Sequence, residues 1–322
     1  MSAPAETIRA ARLRRHGEPL VVEPVELPEP ADGEVRVKLE FAGVNPIDRY
    51  MAEGRVSPDG PLPRTLGGEA AGTVDGQPVL VAGEGLGSAR DGVWAQAANV
   101  PQAAVVPIPD GVQPQEAAAM GIAGLTALKC VRDVGRVTAE DRVLVLGASG
   151  GVGSMIVSLA ASAGATVWGQ TGSADKTGPI ADYGAERVLV GGPEQLASPL
   201  ADLQPTIVID ALGDGFVAPC IEALVSRGRL VVFGTSAGAE VSFNLQSVYR
   251  KMLSILGYGG GQLTRDERRP GLEAALQALK QGAIKVRIDE VLALDQVNQA
   301  FERLADRRVQ GKLLLDLAAE GG

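Results

Sequence analysis

The chain has 322 residues, which is longer than one ordinary single-core domain and suits two domains. Its 45% hydrophobic and 21% charged residues are typical of a globular protein, and its net charge of −9 argues against nucleic acid as a partner. One histidine (His16) and two cysteines (Cys130 and Cys220) are too few ligands for a zinc site or a disulfide framework, which predicts a metal-free protein and favours the reducing cytoplasm.

Residues 1–118 are predicted to be rich in β-structure. No apolar segment precedes the arginines of the first fifteen residues, and no later run reaches the ~18 apolar residues of a membrane helix, so we expect neither a secretory signal nor a membrane span. Val35–Phe41 alternates apolar and charged residues, as a half-buried strand does. Prolines and glycines interrupt the rest at short intervals, which predicts a small barrel or sandwich with long loops.

Residues 119–257 alternate between strand-like and helix-like segments. The Ala-rich segment Gln115–Val131, which begins just before this region and precedes its first strand, is predicted to be a helix. Short apolar strands separated by helices predict a doubly wound parallel sheet, and six strands suit a dinucleotide-binding fold. The predicted strands are Arg142–Leu146, Thr166–Trp168, Arg187–Val190, Thr206–Asp210, Arg229–Phe233 and Leu253–Leu256, and the predicted helices are Val152–Ala163, Lys176–Tyr183, Glu194–Leu203 and Val217–Ser226.

Residues 258–322 form a C-terminal segment with a different pattern. Its composition predicts helices at Arg268–Gln281 and Leu294–Arg303, and strands at Ile284–Ile288 and Lys312–Leu317. We expect this segment to return in part to the first domain.

A glycine-rich loop follows the first strand of the alternating region and opens its first helix. The sequence LVLGASGGVG ends at Gly153, and its segment Ser149–Gly153 (Ser149, Gly150, Gly151, Val152 and Gly153) contains three glycines. Such glycines permit a tight turn and let backbone N–H groups approach a pyrophosphate at the helix N-terminus. A simple Gly-rich turn is the alternative, but the strand–loop–helix context favours a dinucleotide site.

The end of the second strand indicates which nicotinamide nucleotide binds. A site for NAD would place an acidic residue there, whereas this chain has Gln170 and Thr171. Ser173 and Lys176 follow, and a hydroxyl with an ammonium suits an added 2′-phosphate. These residues favour NADPH. Asp175 is the competing candidate, as a ribose acceptor, and a solvated surface role is the alternative for Lys176.

Several segments together resemble one family. GVNPIDRY (Gly43–Tyr50), LGGEAAG (Leu66–Gly72) and the glycine loop are similar to motifs of the quinone oxidoreductase (zeta-crystallin) branch of the medium-chain dehydrogenases/reductases. The resemblance implies an α/β fold with an N-terminal GroES-like β-barrel catalytic domain and a Rossmann doubly wound parallel sheet. It also places Asn45 and Gly68 where zinc-dependent relatives have a cysteine and a histidine ligand. Weaker matches lie at Gly124–Ala127, Asp210–Gly213, Phe233–Ser236 and Gly311–Leu314.

The resemblance also implies roles for individual residues. Asn45 and Tyr50 would be catalytic, as donors to the substrate oxygen; a turn role beside Pro46 and a packing role are their respective alternatives. A homodimer is implied, and the strand Leu253–Leu256 would offer a sheet edge for pairing. In addition to the glycine loop, Ser173 and Lys176, the cofactor-binding residues would include Thr126, Leu212, Gly213, Phe233, Gly234 and Thr235.

The function that these features predict is reduction of a small molecule. An NADPH-dependent, zinc-independent oxidoreductase would transfer a hydride to a quinone or to an α,β-unsaturated carbonyl. An enoyl-thioester reductase of the polyketide type remains an alternative, as does a crystallin-like nucleotide-binding protein without turnover. Asp48 and Glu69 resemble acid–base candidates, but carboxylates in loops most often accept hydrogen bonds at caps and turns, so we interpret both as structural.

Overall fold

The structure is a computed structural model that describes residues 6–306 and 308–319. In chain order its strands are β1 (Glu6–Leu13), β2 (Val21–Leu27), β3 (Glu34–Val44), β4 (Arg64–Thr65), β5 (Glu69–Val74), β6 (Gln77–Ala82), β7 (Ala97–Pro101), β8 (Val105–Pro107), β9 (Arg142–Leu146), β10 (Thr166–Thr171), β11 (Arg187–Val190), β12 (Ile207–Asp210), β13 (Arg229–Val232), β14 (Ser254–Gly257), β15 (Ile288–Ala293) and β16 (Lys312–Asp316). Its α-helices are α1 (Pro46–Ala52), α2 (Pro114–Ala117), α3 (Leu125–Leu128), α4 (Gly151–Ser162), α5 (Thr177–Asp182), α6 (Pro193–Leu203), α7 (Val217–Ala223), α8 (Leu245–Lys251), α9 (Arg265–Lys280) and α10 (Val297–Ala305).

The chain divides into two compact units. Of the described residues, the first unit contains 6–123, the segment Thr264–Lys280, 288–306 and 308–319, and the second contains Gly124–Leu263 and Gln281–Arg287. The sequence predicts boundaries after residues 118 and 257, whereas the observed units change at 123/124 and at 263/264. The C-terminal segment is shared, because residues 281–287 lie in the second unit.

The first unit contains two sheets. One has the order β2-β1-β4, and the other has the order β15-β16-β3-β5-β6-β8, with β7 paired to β3. The predicted strand Val35–Phe41 lies within β3, which is the centre of the larger sheet. Trp94 is fully buried in the core of this unit, where its ring contacts Phe301 at a centroid distance of 5.6 Å.

The second unit contains a six-stranded parallel sheet. Its order is β11-β10-β9-β12-β13-β14, which is the arrangement of a Rossmann fold. All six predicted strands are present, and Arg142–Leu146 and Arg187–Val190 have their predicted bounds. The central strands β9 and β12 are almost entirely buried, which is why they are continuous apolar runs in the sequence.

One predicted helix is interrupted, and one predicted strand is wrong. The predicted helix Gln115–Val131 is divided, because π-helical turns at Met120–Gly124 and Lys129–Val134 flank the short helix α3. The first of these turns directs the N–H of Ile122 to a side chain of β5, described below. The predicted strand Ile284–Ile288 is a connecting segment with one buried apolar residue, and the strand β15 begins where it ends.

Two helices, α1 and α8, are not predicted by the sequence. Helix α1 lies in the β-rich region, and apolar residues such as Leu245 and Tyr249 are exposed on α8. In the two described ranges, no helix has both the length and the apolar character needed to cross a bilayer.

Candidate functional site

The glycine loop joins β9 to α4 in the second unit. Gly147 has a positive φ of 71°, a conformation that favours glycine, and its carbonyl accepts a hydrogen bond from the N–H of Gly150 at 3.1 Å. Gly153 lies in the first turn of α4, where an added Cβ would be only 2.2 Å from the carbonyl oxygen of Gly147. The loop and the helix are therefore packed at backbone contact distance.

This loop fits the pyrophosphate of a dinucleotide. The first N–H groups of the twelve-residue helix α4 have no intrahelical acceptor, and the helix dipole adds positive charge at the same end. At Gly150 an added Cβ would meet only the Gly147 carbonyl oxygen, at 3.4 Å. The structure thus brings the predicted residues together at one helix start: Ser149, Gly150, Gly151, Val152 and Gly153.

The end of β10 supports the loop from the side. The Gln170 amide is buried; its oxygen accepts the N–H of Gly147 at 3.0 Å, and its nitrogen donates to the carbonyl of Gly191 at 2.8 Å. Thr171 donates to the Ser149 hydroxyl at 3.3 Å. Gln170 therefore links the loop to the chain beyond β11 through both its amide oxygen and its amide nitrogen.

The predicted 2′-phosphate residues lie on an exposed turn after β10. The Ser173 hydroxyl donates a hydrogen bond to the Asp175 carboxylate, and this bond lowers the pKa of that carboxyl group. Lys176 ends the same turn. The structure thus places the two candidate donors and the competing acidic residue within one short segment.

The carboxyl ends of β12 and β13 carry the other predicted cofactor residues. Asp210 is fully buried, and its carboxylate accepts the N–H groups of Leu212 at 2.7 Å and Gly213 at 3.2 Å, which shapes the loop after β12. Burial raises the pKa of this carboxyl group. Leu212 also lies beside Gly147, so this loop borders the glycine loop. The segment of Phe233, Gly234 and Thr235 follows β13, and buried Thr126 lies on α3 of the same unit.

The predicted catalytic residues belong to the first unit. Asn45 precedes α1 and is buried, and Tyr50 lies within that helix. The Tyr50 ring is half-buried, with the guanidinium carbon of Arg55 at 4.4 Å from its centroid and that of Arg49 at 5.8 Å. These contacts hold the ring by cation–π attraction.

Asn45 belongs to a group of polar side chains that we call the buried charge cluster: Asn45, Asp48, Glu69 and Lys312. All four are at most 4% exposed. The Lys312 ammonium donates to Asn45 Oδ1 at 2.6 Å and to Glu69 Oε1 at 2.8 Å, and Asn45 Nδ2 donates to the same Glu69 oxygen at 2.8 Å. The second carboxylate oxygen, Glu69 Oε2, accepts the N–H of Ile122 at 2.6 Å.

Asp48 completes the cluster from α1. Its Oδ2 accepts the N–H of Asn45 at 2.8 Å, which confirms the interpretation of Asp48 as a helix cap. Its Oδ1 is buried and has no hydrogen-bond partner. Burial, with the nearby Glu69 charge, raises the pKa of Asp48 to about 7 against the opposing effects of the Asn45 N–H and Lys312.

The sequence reasoning misplaces one member of the cluster, Glu69, and misses another, Lys312. Glu69 is predicted to lie in a loop. It instead begins β5, where it is fully buried and paired with the Lys312 ammonium. Lys312 received no role. Its position in the strand sequence KLLLD is the signal that could have identified it, because a lysine in a buried strand requires an acidic partner.

The histidine and the two cysteines of the chain each have local contacts of their own. His16 contacts the carbonyl oxygens of Met51 and Pro58, at 3.2 and 3.1 Å. Cys130 and Cys220 are free and buried in the second unit, and burial raises the pKa of the Cys130 thiol to about 12. Across residues 6–306 and 308–319, no group of three or more His, Cys, Asp or Glu side chains is arranged to hold a metal ion.

Comparisons with known proteins agree with this architecture. Residues 31–110 match the alcohol dehydrogenase GroES-like domain, and residues 151–286 match the family described as zinc-binding dehydrogenase. The solved structure of Pseudomonas syringae pv. Tomato DC3000 quinone oxidoreductase is similar, with a TM-score of 0.85 and 26% identity over 96% of this chain and 99% of that one. The predicted fold class, a GroES-like domain with a Rossmann parallel sheet, is confirmed.

Two further relatives have full-length similarity. The quinone oxidoreductase of Salmonella typhimurium (strain LT2) is 30% identical over 321 residues, which is 94% of this chain and 97% of that protein. The mycobacterial protein Rv1454c, solved in complex with NADPH, has a TM-score of 0.85 and 25% identity over 96% of this chain and 99% of its own. The chain therefore belongs to the quinone oxidoreductase family of the medium-chain dehydrogenases/reductases, which are oxidoreductases that use a nicotinamide nucleotide.

Proposed function

We propose that the chain is a cytoplasmic, NADPH-dependent reductase that needs no zinc and transfers a hydride to a quinone or to the β-carbon of an α,β-unsaturated carbonyl. The observation that carries this proposal is the Asn45 amide, which is buried and held between Lys312 and Glu69 with one Nδ2 hydrogen left to donate. An oriented amide N–H can stabilise a developing oxyanion, a task that a metal ion performs in metal-dependent carbonyl chemistry. The two free, buried cysteines suit a reducing compartment.

The segment after β10 supports NADPH over NADH. The strand ends with Gln170 and Thr171 rather than with an acidic residue, and the donors Ser173 and Lys176 follow on an exposed turn. Asp175, the competing ribose acceptor, already accepts the Ser173 hydroxyl. Binding of a 2′-phosphate would require Ser173 to exchange this carboxylate for the phosphate. The NADPH complex of the relative Rv1454c is in line with this choice.

The residues of the chain would divide the chemistry between them. When bound, the nicotinamide nucleotide supplies a hydride from C4 of its ring. The Nδ2–H of Asn45 would donate to the acceptor oxygen, where negative charge develops, and the Tyr50 hydroxyl would deliver a proton. One hydride and one proton together complete the two-electron reduction of a quinone or an activated alkene.

We expect the purified chain to oxidise NADPH in the presence of a quinone, an enal or an enone, at a rate that EDTA does not change. The expected kcat/KM with NADH is lower, because NADH lacks the 2′-phosphate that Ser173 and Lys176 would bind. The measurement is the loss of NADPH absorbance across an acceptor panel that includes an enoyl thioester. The best acceptor in this panel distinguishes quinone reduction, alkene reduction and thioester reduction.

The Tyr50→Phe variant is the matched test of the proton donor. It keeps the ring beside Arg55 and removes only the hydroxyl, so we expect kcat to fall by about 10²-fold while NADPH binding is unchanged. Full activity of the variant would exclude the proton-donor role.

The acceptor panel has its own contradicting outcomes. Inhibition of the parent chain by EDTA, or nucleotide binding without turnover of any acceptor, would contradict the proposed zinc-free reductase.

We also propose that the chain forms a homodimer through the edge of its second unit. Strand β14 ends the six-stranded sheet, and no strand of the described ranges pairs with its outer edge. Four large apolar side chains on β14 and the preceding segment are exposed by 46–69%: Leu245, Tyr249, Met252 and Ile255. Pairing of β14 with its copy about a twofold axis would cover both the open edge and these side chains.

A charge on β14 should separate the two copies. We expect Ile255→Lys to convert the dimer to a monomer in light scattering or sedimentation, because it would replace an apolar side chain of the interface by a charge on each copy. Val190→Lys is the control: Val190 lies on β11, the opposite edge of the same sheet, and is 41% exposed against 46% for Ile255. A monomeric parent chain, or dissociation by the control variant alone, would contradict the β14 interface.

A further inference from the structure

The partners of the Asn45 side chain permit one orientation of its amide. The Lys312 ammonium can only donate, so the atom at 2.6 Å from it must be the oxygen Oδ1. The Glu69 carboxylate accepts, so the atom at 2.8 Å from its Oε1 must be the nitrogen Nδ2. A flipped amide would place hydrogens against the ammonium and two oxygens against each other. The hydrogen-bond network therefore determines where the second Nδ2 hydrogen points.

The Glu69 side chain is itself held from several sides. Both of its oxygens are occupied, because Oε2 accepts the N–H of Ile122 at 2.6 Å and Oε1 accepts Asn45 and Lys312. Two glycines leave the necessary space: a Cβ at Gly43 would lie 2.2 Å from Glu69 Oε1, and a Cβ at Gly121 would lie 2.8 Å from Glu69 Cβ. The carboxylate has little freedom to move, and the amide that it binds shares this rigidity.

Stability alone is a poor explanation for this arrangement. Removing a carboxylate and an ammonium from water costs as much free energy as their attraction commonly returns, so a buried ion pair adds little net stability. Lys312 and Glu69 are 3% and 0% exposed, and their shared hydrogen-bond partner is the amide of Asn45. What the pair provides is a defined orientation for that amide.

We infer that Lys312 and Glu69 are positioning residues, which hold the Asn45 amide so that its second Nδ2 hydrogen is presented to the oxygen of the substrate. The inference rests on the proposed function, because it assigns a purpose to the orientation of a group that acts in hydride transfer. Neither positioning residue needs to touch the substrate. Asp48 contributes by fixing the backbone N–H of Asn45 at 2.8 Å.

A double-mutant cycle on kcat tests whether Lys312 acts through Asn45. Loss of a single oxyanion donor typically lowers kcat by about 10²-fold or more, so we expect that effect from Asn45→Ala. Lys312→Met should lower kcat by about 10-fold or more in the parent chain, since the amide can then rotate. In the Asn45→Ala background the same substitution should change kcat by less than about 2-fold, because two residues that act as one unit are not additive.

A charge-neutral variant separates positioning from folding. Lys312→Met alone leaves a buried carboxylate without its cation, and this could unfold the first unit. The double variant Glu69→Gln/Lys312→Met removes both charges, so it should melt near the parent temperature while its kcat stays reduced. Recovery of both stability and kcat in this variant would show a merely structural ion pair and overturn the inference.

A second readout does not depend on turnover. The Nδ2 proton of Asn45 that Glu69 accepts, assigned in NMR spectra by its absence from Asn45→Ala, should exchange slowly in the parent chain and rapidly in the Glu69→Gln/Lys312→Met variant. Equal exchange in both proteins would overturn the positioning role whether or not an acceptor is found. The two proposals fail in different ways. Full activity of Asn45→Ala would contradict the proposed function of Asn45. Equal effects of Lys312→Met on kcat in the parent chain and in Asn45→Ala would contradict only the positioning role.

Discussion

Gly153→Ala is expected to destabilise the second unit and to weaken NADPH binding by at least about 10-fold, whereas Gly150→Ala in the same loop should leave the fold intact. The added Cβ at Gly153 would lie 2.2 Å from the Gly147 oxygen and 2.9 Å from the Ala148 Cα. Both are backbone atoms, so no side-chain rotation can relieve the contact. The loop must move away from α4, and overpacking of this kind costs about 1–3 kcal/mol or more.

Displacement of the glycine loop would also disrupt the arrangement of N–H groups that binds the pyrophosphate of NADPH. The N–H groups at the start of α4 attract phosphate only while the loop holds the ligand against the helix end, so the same contact that destabilises the fold should weaken binding. The measurements are thermal unfolding of the free protein and a fluorescence titration with NADPH.

The control position has the same residue type in the same loop. At Gly150 the nearest atom to an added Cβ is the Gly147 oxygen at 3.4 Å, and φ and ψ of −80° and 171° are open to alanine. Thermal unfolding of Gly150→Ala should therefore match that of the parent chain. Equal unfolding temperatures and NADPH affinities for Gly153→Ala and the parent would contradict the packing of this loop.

The second unit could be predicted from the sequence because its information is local. An almost entirely buried parallel strand such as Arg142–Leu146 is a short, mainly apolar run, and the glycines after it have a steric purpose that a strand–loop–helix context identifies. The errors occur where tertiary contacts override the local pattern. Ile284 is buried in a connecting segment, so an apolar alternation there resembled a strand that begins only at Ile288.

The buried charge cluster could not be predicted in the same way. Glu69 and Lys312 are 243 residues apart in the chain, and neither shows by itself that the other is its partner. Sequence reasoning identified Asn45 through its motif, but it interpreted Asp48 and Glu69 alike as structural carboxylates in loops, whereas Asp48 lies in α1 and Glu69 begins β5. The sheet topology explains how these residues meet. Strand β3 lies between β5 and β16, so the starts of both strands, with Glu69 and Lys312, lie close to Asn45 at the end of β3.

Asp48 should make the first unit less stable as the pH rises from about 4 to about 7. Its pKa is raised from the ordinary 3.8 to about 7, mainly by burial, so in this range the folded chain keeps a proton that the unfolded chain loses. The free energy of unfolding then falls by about 1.4 kcal/mol per pH unit for this group, and by roughly 4 kcal/mol over the whole range. Above pH 7 both states are ionised and the loss is complete.

The Asp48→Asn variant removes this titration and keeps an oxygen for the N–H of Asn45. We expect the free energy of unfolding of the variant, relative to that of the parent, to increase between pH 5 and pH 8, because only the parent loses stability through this group. The measurement is urea unfolding at each pH in a Trp168→Phe background, where Trp94, buried in the first unit, reports on that unit alone. Asp110→Asn, at an exposed aspartate of the same unit, is the matched control for the substitution itself. A stability difference for Asp48→Asn that stays constant, or that decreases toward pH 8, would show that Asp48 does not hold its proton in the folded chain. Its carboxylate would then join Glu69 in balancing the charge of Lys312.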